Sequence, residues 1–274
     1  MSQTSQPLLT LESMRHGDAR DLIPVRDMFG ADIGPMVAVA AHFEPGEIIH
    51  SHWHDWPQLV FALNGVMSVI TDEGFWVVPP NRAVWIPAFK KHSFRISSRI
   101  EMRTVYMEEN ATRQLLSHCC VLQASALLRE LVIRLLTYPN IYTAESAQTR
   151  LAAVIVDEIH LSPTTPLHVP RPTQPRLLTI AEHITSNPAD NRSLAQWGSR
   201  LGASERTLAR QFQQDTGMSF AQWRQQVRLV LALQMLAERK PVTQVAIDLG
   251  YESPSAFISM FRKSLGTTPS RYFA

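Results

Sequence analysis

The sequence predicts two folded units of different class: an all-β barrel followed by helices, then an all-α domain. Three observations lead there. Short β-rich runs with turn signals between them fill residues 35–107, a proline cluster interrupts the chain at 162–175, and a helix-turn-helix pattern follows it twice. With 274 residues, 45% of them apolar and 18% charged, the chain can bury two modest cores.

In the first unit, PMVAVAAHF, QLVFALNGVMSVIT, GFWVVPP, RAVWIPA and HSFRIS read as strands, bounded by the turn formers EPGE, LNG and TDEG. Short strands at this spacing predict a barrel or sandwich. Residues 111–138 and 144–160 then switch to apolar positions every three or four residues, which predicts two helices. The first, QLLSHCCVLQASALLRELVIRLL, would place Cys119 and Cys120 on a buried helix. Adjacent cysteines are badly placed for a stapling disulfide, so they read as reduced thiols. Leu115, Leu116, Leu122, Leu127, Leu128 and Leu131 are candidates for a dimer surface or for packing on their own barrel.

SPTTPLHVPRPTQP, from Ser162 to Pro175, carries five prolines in fourteen residues. Proline removes an amide donor and fixes φ, so this stretch is predicted to be an extended, semi-rigid linker. The expected domains are therefore 1–161 and 176–274.

The second unit repeats itself. LAQWGSRLGASERTLARQFQ (Leu194–Gln213) aligns with VTQVAIDLGYESPSAFISMFR (Val242–Arg262) at a shift of 48, becoming 49 after one inserted residue. Leu201-Gly202 falls on Leu249-Gly250, Ser204 on Glu252, Phe212 on Phe261 and Trp223 on Tyr272. Gly202 and Gly250 suit the positive φ that ends a helix. Ser204 is placed to cap the next helix, and Ser253-Pro254 supplies a cap and a first-turn proline in the second copy. Between the copies WRQQVRLVLALQMLAERK predicts ~18 helical residues, about 27 Å. Such a rod suits two recognition helices ~34 Å apart, one turn of B-DNA.

Charge divides the same way. Residues 1–170 hold 13 Lys+Arg against 17 Asp+Glu, and residues 171–274 hold 13 against 7. A basic C-terminal third suits a polyanion. No apolar run approaches the ~18 residues of a membrane span, and the N-terminus lacks a secretion signal. Cytoplasmic location and no membrane partner are the expectation.

On these residues the C-terminal hundred positions resemble the AraC/XylS family of bacterial transcription regulators. The matching stretches are LAQWGSRLGASERTLARQFQQDTGMSFAQWRQQVRLVLALQML and VTQVAIDLGYESPSAFISMFRKSLGTTPSRYF. The N-terminal half resembles that family's sensor, a cupin (jelly-roll) barrel. Its HxHxWxQL segment is similar to a subgroup whose representative controls an efflux transporter. The resemblance implies double-stranded promoter DNA and a small-molecule effector as partners, and a homodimer. It also implies that the second helix of each unit enters the major groove, with Arg206, Ala209 and Arg210 reading bases in the first. The matching positions in the second are Pro254, Ser255 and Ser259. Ser204, Thr207, Ser253, Arg262 and Lys263 are the implied phosphate contacts. Arginine pairs bidentately with guanine, so the first unit is expected to carry most specificity.

Gly46-x5-His52-x-His54-x3-Gln58-x6-Gly65 follows the first cupin motif, except that Gln58 replaces its glutamate. Pro87-x4-His92 resembles the second, with Phe89 at the glycine and Ile96 at the asparagine. Residues two apart on a strand share a face, so His52 and His54 are expected to point inward together, with His92 arriving from the facing strand. Three readings stay open: a catalytic metal centre, a structural or sensed divalent metal on His52, His54 and His92, or a metal-free pocket. In the last, His52, His54, Gln58, His92 and Trp85 would bind an effector. The leading function is therefore a ligand-responsive, non-enzymatic transcription regulator. A cupin enzyme with an accessory DNA domain and an effector-independent regulator are the rivals.

Overall fold

The computed structural model describes residues 22–112 and 115–273; the N-terminal arm before Leu22 lies outside them. Contacts divide the chain into one unit running to Thr71 and again over Trp76–Pro166, and a second made of Asp72–Phe75 with Leu167 onward.

The first unit opens with the short helix α1 (Val25–Phe29) and continues through β1 (Met36–Phe43), β2 (Ile48–His52), β3 (Gln58–Ala62) and β4 (Met67–Thr71). Then come β5 (Gly74–Val78), β6 (Arg82–Ile86), β7 (His92–Ile96) and β8 (Ile100–Met107). A single helical turn α2 (Glu109–Thr112) leads to β9 (Cys120–Gln123), helices α3 (Ala126–Leu135) and α4 (Ala147–Leu161), and β10 (Thr164–Thr165). One sheet has the order β1-β8-β3-β6-β9-β10, and the other contains the run β5-β4-β7-β2. Two antiparallel sheets of inward-alternating strands are the jelly-roll plan.

One sequence expectation fails here. Cys119 and Cys120 are not on a helix: Cys120 opens β9, which pairs with β6 from Trp85↔Cys120 to Arg82↔Gln123. A four-residue apolar run such as CVLQ has no period of its own, and the unfilled edge of β6 decides its state. β10 adds to the same edge through Thr164↔Leu122 and Thr165↔Val121, so the proline-rich stretch is extended but partly sheet-bound.

The outer face of the first sheet carries Leu59, Phe61, Trp85, Val105 and Leu122, which are buried against Leu128, Val132, Ile155 and Ile159 of α3 and α4. Ser125 and Ser146 cap these helices by accepting from Leu128 and Thr149 amides. Of the candidate dimer leucines, Leu122 and Leu128 are core, whereas Leu116 and Leu127 are exposed.

The second unit is helical: α5 (Pro175–Ser186), α6 (Leu194–Leu201), α7 (Glu205–Thr216), α8 (Phe220–Ala237), α9 (Val242–Asp248), α10 (Pro254–Leu265) and α11 (Pro269–Tyr272). The short strand β11 (His168–Pro170) precedes them, and its Pro170 carbonyl accepts from the Trp223 indole at 2.8 Å. Asp215 caps the start of α5, taking the amides of Thr173 and Gln174.

Candidate functional site

In the first unit the backbone brings three histidines and a glutamine to one point. β2 ends at His52, the chain turns through Trp53–Pro57, and β3 begins at Gln58. β7 runs antiparallel to β2 with His92 directly opposite His52. His92 therefore arrives from the hydrogen-bonded neighbour of β2, not from a facing strand as expected. The second sheet supplies that pair, while Gln58 comes from β3 of the first. His52, His54 and His92 are buried, with ring nitrogens from all three within 4.8 Å of one another. Gln58 is buried with them.

Their tautomers follow from their partners. Nδ1 of His52 meets the His50 carbonyl at 2.7 Å, Nδ1 of His92 meets the Lys90 carbonyl at 2.7 Å, and Nδ1 of His54 meets the Trp56 carbonyl. A carbonyl only accepts, so each Nδ1 carries the proton. Burial lowers all three pKa values below the ordinary imidazole value, His54 to about 4, with the neighbouring histidines adding to the effect on His54 and His92. The rings are thus neutral at pH 7, and each Nε2 is a lone pair. That of His92 is buried without any hydrogen-bond partner.

Gln58 faces the same way. Its amide nitrogen donates to Thr104 Oγ1 at 2.9 Å, and the Thr104 hydroxyl donates to the Leu59 carbonyl at 3.4 Å. This chain of donors turns Gln58 Oε1 toward His54 Nε2, 3.1 Å away. Three imidazole nitrogens and an amide oxygen, each with its other polar atom anchored, form a donor set that fits a divalent ion of the zinc, iron or nickel type.

Trp85 is not part of this cluster. It pairs with Leu59, adjacent to Gln58, so alternation puts it on the opposite sheet face. There its indole donates to the Leu116 carbonyl at 2.7 Å, within the core under α3 and α4. The aromatic residues that do border the histidines are Tyr106, perpendicular to His54, and Phe94, perpendicular to His92. Sequence reasoning missed both; period-two alternation from Thr104 and from His92 was the available signal. Phe89, standing where the motif has glycine, keeps the glycine conformation at φ 61 and donates its amide to the His54 carbonyl.

In the second unit, α6–α7 and α9–α10 form the two helix-turn-helix motifs. Ser204 caps α7 by accepting the Thr207 amide, and Ser253 caps α10 by accepting the Ala256 amide. Both second helices have twelve residues and end at a left-handed glycine, Gly217 and Gly266. Ser204 therefore corresponds to Ser253, not to Glu252, because the inserted residue lies in the turn before the cap. At that register Arg206, Ala209 and Arg210 correspond to Ser255, Ile258 and Ser259 rather than to Pro254, Ser255 and Ser259. Pro254 is the first helical residue of α10 and corresponds to Glu205.

On α7, Leu208 and Phe212 face the core while Arg206, Ala209 and Arg210 are exposed along one stripe. On α10, Phe257 and Phe261 are buried. Ser255, Ile258, Ser259, Arg262, Lys263 and Thr268 line a cleft of about 580 Å³. Ile258 and Thr268 were not expected from sequence.

The two motifs are tied together by the loop after α5. Arg228, buried on α8, donates to the Pro188 carbonyl and to Asn191 Oδ1, both at 2.8 Å. Asn191 donates to the Gly250 carbonyl at 3.1 Å, and Asp190 accepts from Arg192 and His183. One loop thereby reaches the first motif through Ser193, the α6 cap, and the second through Gly250.

Known proteins bear on both halves. A family profile described as an AraC-like ligand binding domain matches residues 35–153, and one described as a helix-turn-helix domain matches residues 197–274. The HTH-type transcriptional regulator NimR of Escherichia coli K12 is 40% identical over 223 residues, 81% of each chain. RipA of Corynebacterium glutamicum, an HTH-type transcriptional regulator, is 34% identical over 133 residues, 48% of this chain and 38% of its own. Among solved structures, ToxT of Vibrio cholerae aligns over 88% of this chain and 97% of its own, with 12% identity and a TM-score of 0.36.

Proposed function

The chain belongs to the AraC-type helix-turn-helix transcriptional regulators, and on that premise we propose how its two halves divide the work. Residues 176–274 hold promoter DNA, and residues 1–161 sense a small molecule and form a homodimer. The protein is a regulator and not an enzyme, as its relatives are.

The observation that carries the DNA assignment is the exposed stripe of Arg206, Ala209 and Arg210 on a capped second helix whose opposite face is core. Two guanidinium groups one turn apart match guanine O6 and N7 edges in a major groove, and Ala209 between them suits a thymine methyl. The second unit offers Ser255, Ile258 and Ser259 for bases, with Ser253, Arg262 and Lys263 for phosphates. Ser204 and Thr207, hydroxyl to hydroxyl at 2.8 Å, border the first helix where a phosphate would pass. Footprinting of the full chain on its own upstream region tests this. Protection lost in Arg206→Ala and Arg210→Ala supports it; unchanged footprints of both variants refute it.

In the sensing half, His52, His54, His92 and Gln58 would hold a divalent metal, which would supply an electrophilic anchor for an effector. A ligand there shifts promoter occupancy only if it binds two states of the regulator with different affinity. A transporter gene is the target class we carry from the sequence resemblance.

A further inference from the structure

We propose that His52, His54, His92 and Gln58 form a resident divalent-metal centre, and that its lack of a carboxylate makes it a receptor for a small monoanion, the effector class of the barrel. This rests on the sensing role given above to the N-terminal half.

The metal part follows from donor direction. Three Nδ1–H groups are held by the carbonyls of His50, Trp56 and Lys90. Thr104 holds the amide nitrogen of Gln58. The donors of the four side chains are thus taken, leaving ring nitrogens of the three histidines within 4.8 Å of one another and Gln58 Oε1 3.1 Å from His54 Nε2. His92 Nε2 is buried there with no partner. A neutral effector with one hydrogen-bond donor could satisfy a single such atom; a cation satisfies the four together.

The anion part follows from charge. Among the described residues the candidate ligand group consists of histidines alone, with no Asp or Glu. Four neutral donors leave both positive charges of a divalent ion uncompensated in a buried site, which is costly. A glutamate at position 58 would cancel one of them; Gln58 cancels none. An incoming anion does so instead. Tyr106 and Phe94 adjoin the site, their rings nearly perpendicular, at 88° and 86°, to those of His54 and His92. His54 and His92 are 0% exposed and His52 and Gln58 3%, so the enclosure suits a small anion.

The test uses the chelator-stripped full chain, with Co²⁺ as the metal probe and azide and formate as anion probes. Calorimetry should find one Co²⁺ per chain, and the visible Co²⁺ bands should shift on adding either anion. His92→Ala, which removes a ligand, should weaken Co²⁺ binding by more than the ~10–100-fold that loss of an outer partner costs, and His92→Gln serves if the alanine variant fails to fold. Gln58→Glu should hold Co²⁺ more tightly and lose the anion response. Absence of stoichiometric Co²⁺, or uptake indifferent to His92, overturns the centre. Bands indifferent to both anions, or an undiminished response in Gln58→Glu, overturn the receptor. Promoter binding by the same wild-type samples is read in parallel, so a failed metal site with intact DNA binding leaves the regulator assignment standing.

Discussion

His52 and His92 lie directly opposite each other across β2 and β7, with ring centroids 4.5 Å apart. Neither ring can move away without breaking its Nδ1 contact to a backbone carbonyl two residues earlier in the chain. Two neutral imidazoles held this close are pre-organised for a shared cation. A divalent metal at 100 times its Kd should therefore stabilise the fold by about 2.7 kcal/mol. Melting temperature against metal concentration measures it, and His52→Ala should abolish the rise.

On the DNA side, Arg206→Ala and Arg210→Ala should each cost about 1–3 kcal/mol in specific binding and relax preference at one base position. Lys263→Ala should weaken all sequences alike and lower the salt slope of binding by about one. Binding titrations at several salt concentrations on specific and scrambled duplexes separate the two behaviours.

Phe89 holds φ 61 with its side chain 57% exposed. A left-handed backbone costs a residue bearing a Cβ roughly 1–2 kcal/mol. Phe89→Gly removes that cost and forfeits mainly the contact with Trp53. It should be at least as stable as the wild type, whereas Phe89→Ala, which keeps the strain and loses the contact, should be less stable. Thermal melts of the two variants check the order.

Asp190 is 8% exposed at its side chain and sits between His183 and Arg192. Partial burial pushes its pKa up, but the Arg192 amide, the His183 side chain and the Arg192 charge together hold it below the usual carboxylate value. A depressed pKa means the folded state binds fewer protons than the unfolded state. Its stabilisation is thus present above the unfolded pKa and is lost as pH falls through the folded one. Asp190→Asn should cost about 1–3 kcal/mol at pH 7, with the gap to wild type closing below about pH 4. Hydrogen exchange of the α5 and α6 amides across pH reports it.

Much of this was legible in the chain. The glycine, serine and leucine spacing of residues 194–266 identifies both motifs, since caps and turns are local chemistry. Cysteine 120 shows the opposite case: CVLQ is sheet because β6 leaves it an edge, and nothing within four residues records that edge. Trp85 and Tyr106 show another: both are buried aromatics, and only strand pairing says which lies beside the histidines.

The sequence by itself determined the two units, the repeated motif, the family and the four side chains that converge, because each depends on spacing along one segment. Tertiary structure decided that His92 is the lateral neighbour of His52 and that Gln58 turns its oxygen to His54. Those facts depend on strand register and on Thr104, 46 residues from Gln58. Long-range hydrogen bonds set them, and no local pattern encodes such a bond.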